Sequence, residues 1–102
     1  METIFSVVAD PTRRQILDRL RVHGTLAIRQ LADPLPISRQ AVTKHLDILV
    51  KSGLVEMRRV GRERVHFLNP QPLQELEAWL QPYSEIWDRR LTRLQQHLED
   101  RR

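Results

Sequence analysis

Apolar side chains recur along the chain in two rhythms, and the change of rhythm divides it into elements. Ile4, Phe5 and Val8 stand at helical spacing and predict a short first helix over Met1–Val8. Asp10-Pro11 then supplies an N-cap followed by proline at the first helical position. Ile16, Leu17 and Leu20 form an apolar stripe, and Gly24 after His23 is a C-terminal stop. Thr25–Leu35 predicts a shorter helix with Ile28, Leu31 and Leu35 inward, ended by Pro34 and Pro36. Ser38 is the cap of a fourth helix that should run to about Ser52, with Ala41, Val42, Leu46, Leu49 and Val50 toward the core and Gly53 as its stop.

The period then shortens. "VEMRRV" and "RVHFLN" are β-like runs around Gly61-Arg62-Glu63, in which Val55, Met57, Val65 and Phe67 can alternate inward and Arg58, Arg64 and His66 outward. After Asn69-Pro70 the helical period returns and persists to the end. Pro82 interrupts it, so two helices abut there or one helix kinks. The fold class expected is mainly α with a small β-hairpin. A short helix, a proline-rich turn and a capped, polar-faced helix make a helix-turn-helix, and the arginine-bearing hairpin after it makes a wing.

Composition narrows the picture. The chain has 102 residues, enough for one domain over 1–102. Forty per cent of them are apolar, which supports a core of the size that often recruits a second subunit. There is no cysteine, which excludes disulfides and thiolate metal sites and fits a reducing cytoplasm. No run approaches transmembrane length and the start lacks a signal-peptide pattern, so no membrane association is expected.

The net charge is +4. Residues 39–64 carry seven basic side chains against three acidic ones, so the excess is concentrated in the helix and hairpin that would face a nucleic acid. A solvated surface with an arginine bias is the plain alternative on charge alone.

Ser38, Arg39, Gln40, Thr43 and Lys44 lie at the start and on the outward face of the fourth helix. Arginine can bind a guanine edge bidentately and glutamine an adenine edge. Hydroxyls and a helix N-terminus suit phosphate oxygens. An ordinary polar helix face, with Ser38 only a cap, would look similar in isolation. His45 is either a DNA contact or a half-buried residue holding the turn. Arg62 and Arg64 at the hairpin tip would track the backbone or enter the minor groove. Edge-strand protection by charge is compatible with that role. Arg13 and Arg14 could reach phosphate or simply be solvated.

Leu80, Trp87 and Leu94 repeat every seven residues, as do Ser84, Leu91 and Leu98, while Trp79, Tyr83 and Ile86 widen the stripe. So much apolar surface on a terminal helix needs a partner. Ile4, Phe5, Val8, Leu80, Tyr83, Trp87, Leu91, Leu94 and Leu98 are the expected dimer interface, although Leu73, Leu76 and Trp79 could pack on their own domain. Catalysis has little support: no cysteine nucleophile, glycine-rich phosphate loop or HExxH is present, and the four histidines are scattered. No cofactor and no metal are expected.

"VVADPTRRQILDRL" at 7–20, "IRQLADPLPISRQAVTKHLDILVKSGLVEMRRVGRERVHFL" at 28–68 and the terminal "WLQPYSEIWDRRLTRLQQHLE" together resemble the ArsR family of winged-helix repressors. They are most similar to its SdpR-like branch without metal-binding cysteines. The resemblance implies a homodimeric repressor, dimeric through its terminal helices, bound to a double-stranded DNA operator. Family members that sense metal through the last helix use Asp/His pairs with His and Glu there. Here His97 and Asp100 have the three-residue spacing, but no Asp-x-His pair precedes them. An effector sensor with its site on those helices is the alternative reading.

Overall fold

The computed structural model describes residues 3–100. Its elements are α1 (Ile4–Ala9), α2 (Pro11–His23), β1 (Leu26–Ala27), α3 (Ile28–Ala32), α4 (Arg39–Lys51), β2 (Val55–Val60), β3 (Glu63–Leu68) and α5 (Leu73–Asp100). Met1 and Glu2, part of the expected first helix, lie outside the described residues.

Local capping chemistry sets most boundaries. Asp10 Oδ2 accepts from the Arg13 amide at 2.9 Å with Pro11 at the start of α2. The same hydrogen bond holds the Asp10 carboxyl below its ordinary pKa, against the opposing effect of burial. Ser38 Oγ accepts from the Ala41 amide at 3.1 Å and opens α4. After α4, Gly53 turns the chain with φ +84°, a conformation costly for residues with a side chain. Arg14 Nη1 donates to the carbonyls of Val8 and Ala9, both at 3.0 Å, closing the end of α1.

One buried cluster joins α1, α2, α3, α4 and the base of the wing. Ile16, Leu31, Val42, Leu49 and Leu54 have no exposed surface, and Val7, Leu20, Leu46 and Val55 have almost none. On α4 the buried positions are Val42, Leu46 and Leu49, as the apolar period predicts; Ala41 is half-buried and Val50 faces outward.

Two expectations need correction. The stretch 25–35 is not one helix. Leu26 and Ala27 form a strand, and helix follows only over Ile28–Ala32. β1 pairs antiparallel with β3, Leu26 opposite His66 and Ala27 opposite Val65, so the sheet order is β1-β3-β2. Gln30 Oε1 accepts from the Ala27 amide at 2.8 Å, so α3 begins immediately after the strand. Leu35 lies beyond the helix but still packs on the core.

The second correction is the phase of β3. Val55 pairs with Leu68 and Met57 with His66. Opposed residues share a face, so the inward set of β3 is His66 and Leu68, not Val65 and Phe67. His66 is buried at 3% exposure, whereas Met57 is open at 46%. Phe67 turns to the other face, where the Arg58 guanidinium lies 5.4 Å from its ring centroid.

The hairpin turn is two residues long. Gly61 adopts φ +62° while Arg62 keeps a negative φ, the pattern of a type II′ turn. Pro82 lies inside a single helix of 28 residues and does not divide it.

Candidate nucleic-acid interface

α4 offers its two faces to different surroundings. Val42, Leu46 and Leu49 anchor it, which leaves Arg39, Gln40 and Lys44 exposed on the opposite side. Ser38 and Thr43 are engaged locally. Ser38 caps the helix, and the Thr43 hydroxyl donates to the Arg39 carbonyl at 2.9 Å. Ser38 stands at the helix start, where free amides and the helix dipole favour anions, and Thr43 lies one turn further along.

His45 is tied to the body of the protein. Its Nδ1 accepts from Arg13 Nε at 3.3 Å. Accepting there requires an unprotonated Nδ1, and Asp10 Oδ2 at 3.9 Å is beyond hydrogen-bonding range. Arg13 also donates to the Val7 carbonyl at 3.5 Å. The start of α2 and the middle of α4 are therefore joined through side chains 32 residues apart. Arg13 and Arg14 are structural residues, each holding a backbone carbonyl.

The wing carries its arginines at the free end. Arg59 stands directly opposite Arg64 in the β2–β3 register, and both are exposed. Like charges at facing positions repel. A polyanion would turn that repulsion into binding energy.

Arg62 and Arg64 reach the same place as Arg39. With Ala27, Ile28, Arg29 and Glu63 they line an open cleft of 310 Å³ between the start of α3, the start of α4 and the wing tip. Arg29 Nε donates to Glu63 Oε1 at 2.9 Å. That pairing holds the Glu63 carboxyl below its ordinary pKa. Arg29 carries no sequence signal separating it from other surface arginines; only the fold brings it 34 residues forward to the wing.

The terminal helices present the other unusual surface. Leu80, Tyr83, Ile86, Trp87, Leu91, Leu94 and Leu98 are all exposed, between 45% and 62%, and α5 contains no buried residue. Its start packs on the core through Leu73 and Leu76. Trp79 then meets Phe5 edge-on at 5.8 Å and Tyr83 at 5.2 Å. Of the expected interface residues on α1, Phe5 is exposed and Val8 half-buried, but Ile4 is buried in its own subunit and has little surface to offer. His97 and Asp100 occupy the far end of α5. Among the described residues no three His, Cys, Asp or Glu side chains come together to hold a metal ion. No helix among them is long and apolar enough to cross a membrane.

A capped polar helix on a three-helix core, followed by a basic hairpin, defines a winged helix-turn-helix protein. Residues 8–58 match the family model described as a helix-turn-helix domain. The chain is 43% identical over 88 residues to the HTH-type transcriptional regulator Rv2034 of Mycobacterium tuberculosis, covering 86% of this chain and 78% of that one. It is 32% identical to the transcriptional repressor SdpR of Bacillus subtilis, over 78% of this chain and 88% of that one. The solved structure of an ArsR-like transcriptional regulator from a Rhodococcus species superposes with a TM-score of 0.66 at 38% identity, covering 91% and 87% of the two chains. The chain belongs to the ArsR family of winged helix-turn-helix proteins, and it is a DNA-binding transcriptional regulator.

Proposed function

We propose that the chain is a non-catalytic repressor of the cytoplasm that binds a palindromic operator as a homodimer. α4 enters the major groove, and the wing lies on the flanking backbone or minor groove. Repression follows from occupying a promoter and excluding polymerase. The observation that carries this reading is the joint opening of Arg39, Arg62 and Arg64 onto one cleft beside the exposed face of α4.

Within that interface the roles divide. Arg39 and Gln40 are in the first turn of α4, the part that reaches base edges in helix-turn-helix docking. Ser38, Thr43 and Lys44 flank them toward phosphate, and His45 orients the helix through Arg13. Arg62 and Arg64 grip the backbone. Homodimerisation is supported by the shape of the subunit. Its radius of gyration is 18.4 Å, against about 13 Å for a compact chain of 100 residues. The excess comes from α5, whose exposed apolar stripe a second copy would cover. The same two-fold axis would place two α4 helices on half-sites about 10 bp apart, or a multiple of that.

Binding of variants to operator and scrambled duplexes across a salt series tests the division. Arg39→Ala or Gln40→Ala should cost about 1–3 kcal/mol on the operator and relax preference at one or two base pairs per half-site. Arg62→Ala should weaken all sequences alike and lower the salt slope by about two per dimer. Equal weakening of both duplexes by Arg39→Ala and Gln40→Ala would mean that α4 is not the reader.

A further inference from the structure

The wing is braced along only part of its length. β1 reaches β3 at Val65 and His66. Beyond them Arg59, Val60, Arg62, Glu63 and Arg64 form an exposed two-stranded ribbon with no buried layer beneath it. Such a ribbon is weakly held in direction. An acid sits among the bases at its tip. On a surface that meets phosphate, Glu63 opposes the partner electrostatically. Its pairing with Arg29 does little for folding either, because both side chains are half exposed, at 50% and 54%. What the contact does is geometric: it links the tip of the ribbon to α3, across the cleft that Arg39 lines.

We propose that Glu63 is a positioning residue for DNA binding, which holds Arg29 of α3 and thereby sets the wing tip so that Arg62 and Arg64 meet phosphates in step with Arg39 on α4. The inference rests on the DNA-binding geometry given under Proposed function. An untethered ribbon must be ordered during association, at the expense of affinity; a tethered one is ordered beforehand. The two effects of Glu63 have opposite signs. Its charge weakens attraction to DNA, and its tether strengthens docking. Removing it therefore shows which effect dominates.

The experiment uses a duplex selected from a random pool by the wild-type protein. Affinity is measured across a salt series for wild type, Glu63→Ala, Arg29→Ala, Arg62→Ala and the reversed pair Arg29→Glu/Glu63→Arg. Glu63→Ala should bind at least about three-fold more weakly, the scale of one or two side chains left to be ordered. Its salt slope should be shallower, because wing phosphate contacts are lost. Its thermal midpoint should stay within about 2 °C of wild type, as an exposed pair allows. The reversed pair keeps the net charge and should recover most of the affinity lost by Glu63→Ala. Equal or tighter binding by Glu63→Ala overturns the proposal, since charge alone would then account for the residue. A reversed pair no better than Glu63→Ala overturns it too. If Arg62→Ala weakens binding while Glu63→Ala does not, only the positioning role fails. If the wild type selects no duplex, the DNA-binding geometry fails and takes the positioning role with it.

Discussion

α4 and α5 are both amphipathic helices, and they treat their apolar faces in opposite ways. α4 buries Val42, Leu46 and Leu49 within its own chain. Its remaining face is mostly polar, with Val50 the one large apolar residue exposed on it. α5 packs Leu73 and Leu76 partly against the core, but its large apolar residues from Trp79 to Leu98 stay exposed. An apolar stripe covered by its own chain makes a rigid platform, so the polar side of α4 is free to be specific. A stripe left in water carries a cost that a second copy of the chain can remove. One helix covers its apolar face within its own chain, and the other leaves most of its apolar face exposed.

Breaking α5 should have the largest effect. Trp87→Glu together with Leu91→Glu places charge in the middle of the stripe, where pairing would desolvate it. The expected outcome in ultracentrifugation is a monomer or unfolded chain, with operator binding lost. A wild-type protein that sediments as a monomer at micromolar concentration would end the dimer model.

A matched pair of truncations sharpens the contrast. Leu46→Ala leaves a hole in a packed core and should cost about 2–5 kcal/mol at every protein concentration. Leu94→Ala removes the same side chain from an exposed position. If a second copy covers the stripe, the effect should appear mainly as a stronger dependence of thermal midpoint on protein concentration, because binding adds to stability by mass action. Thermal melts at several concentrations read both. Concentration-independent loss for Leu94→Ala would mean that the stripe packs within its own subunit.

Sequence patterns revealed the elements whose signals are local. Asp10-Pro11, Ser38 and Gly53 each act within one turn of the backbone, and the caps of α2 and α4 are where those residues place them. β1 was invisible because two residues have no period, and Leu26-Ala27 earns its strand only from β3. The phase of β3 was ambiguous because Val65, Phe67 and Leu68 supply apolar residues on both faces around His66. Register with β2, a property of two strands together, decides it. The outward face of α4 and the basic wing tip were equally legible. Arg13 and Arg29 were not, since their partners lie 32 and 34 residues away. Ile4 shows the limit of periodicity: it marks a helix face without saying whether that face meets its own chain or another.

The smallest expected effect concerns that misphased histidine. His66 is nearly fully buried, and its Nδ1 has no hydrogen-bond partner. Burial pushes its pKa below the ordinary 6.5, against the opposing influence of the Leu26 backbone and the charge of Asp47, while Arg64 adds to the lowering. The folded protein therefore resists a proton that the unfolded chain accepts. Above 6.5 both forms are neutral and the stability is fully present. As pH falls below that value it declines, and it stops declining only when folded His66 is itself protonated. Asp10 acts in a separate window: its lowered pKa gives stability above 3.8 that is lost as pH falls through its folded value. Urea denaturation from pH 8 to pH 3 should show both limbs for the wild type. His66→Leu should flatten the limb below neutrality and leave the more acidic one in place. If His66→Leu loses stability between pH 7 and pH 5 as steeply as the wild type, the buried histidine at the base of the wing is not its source.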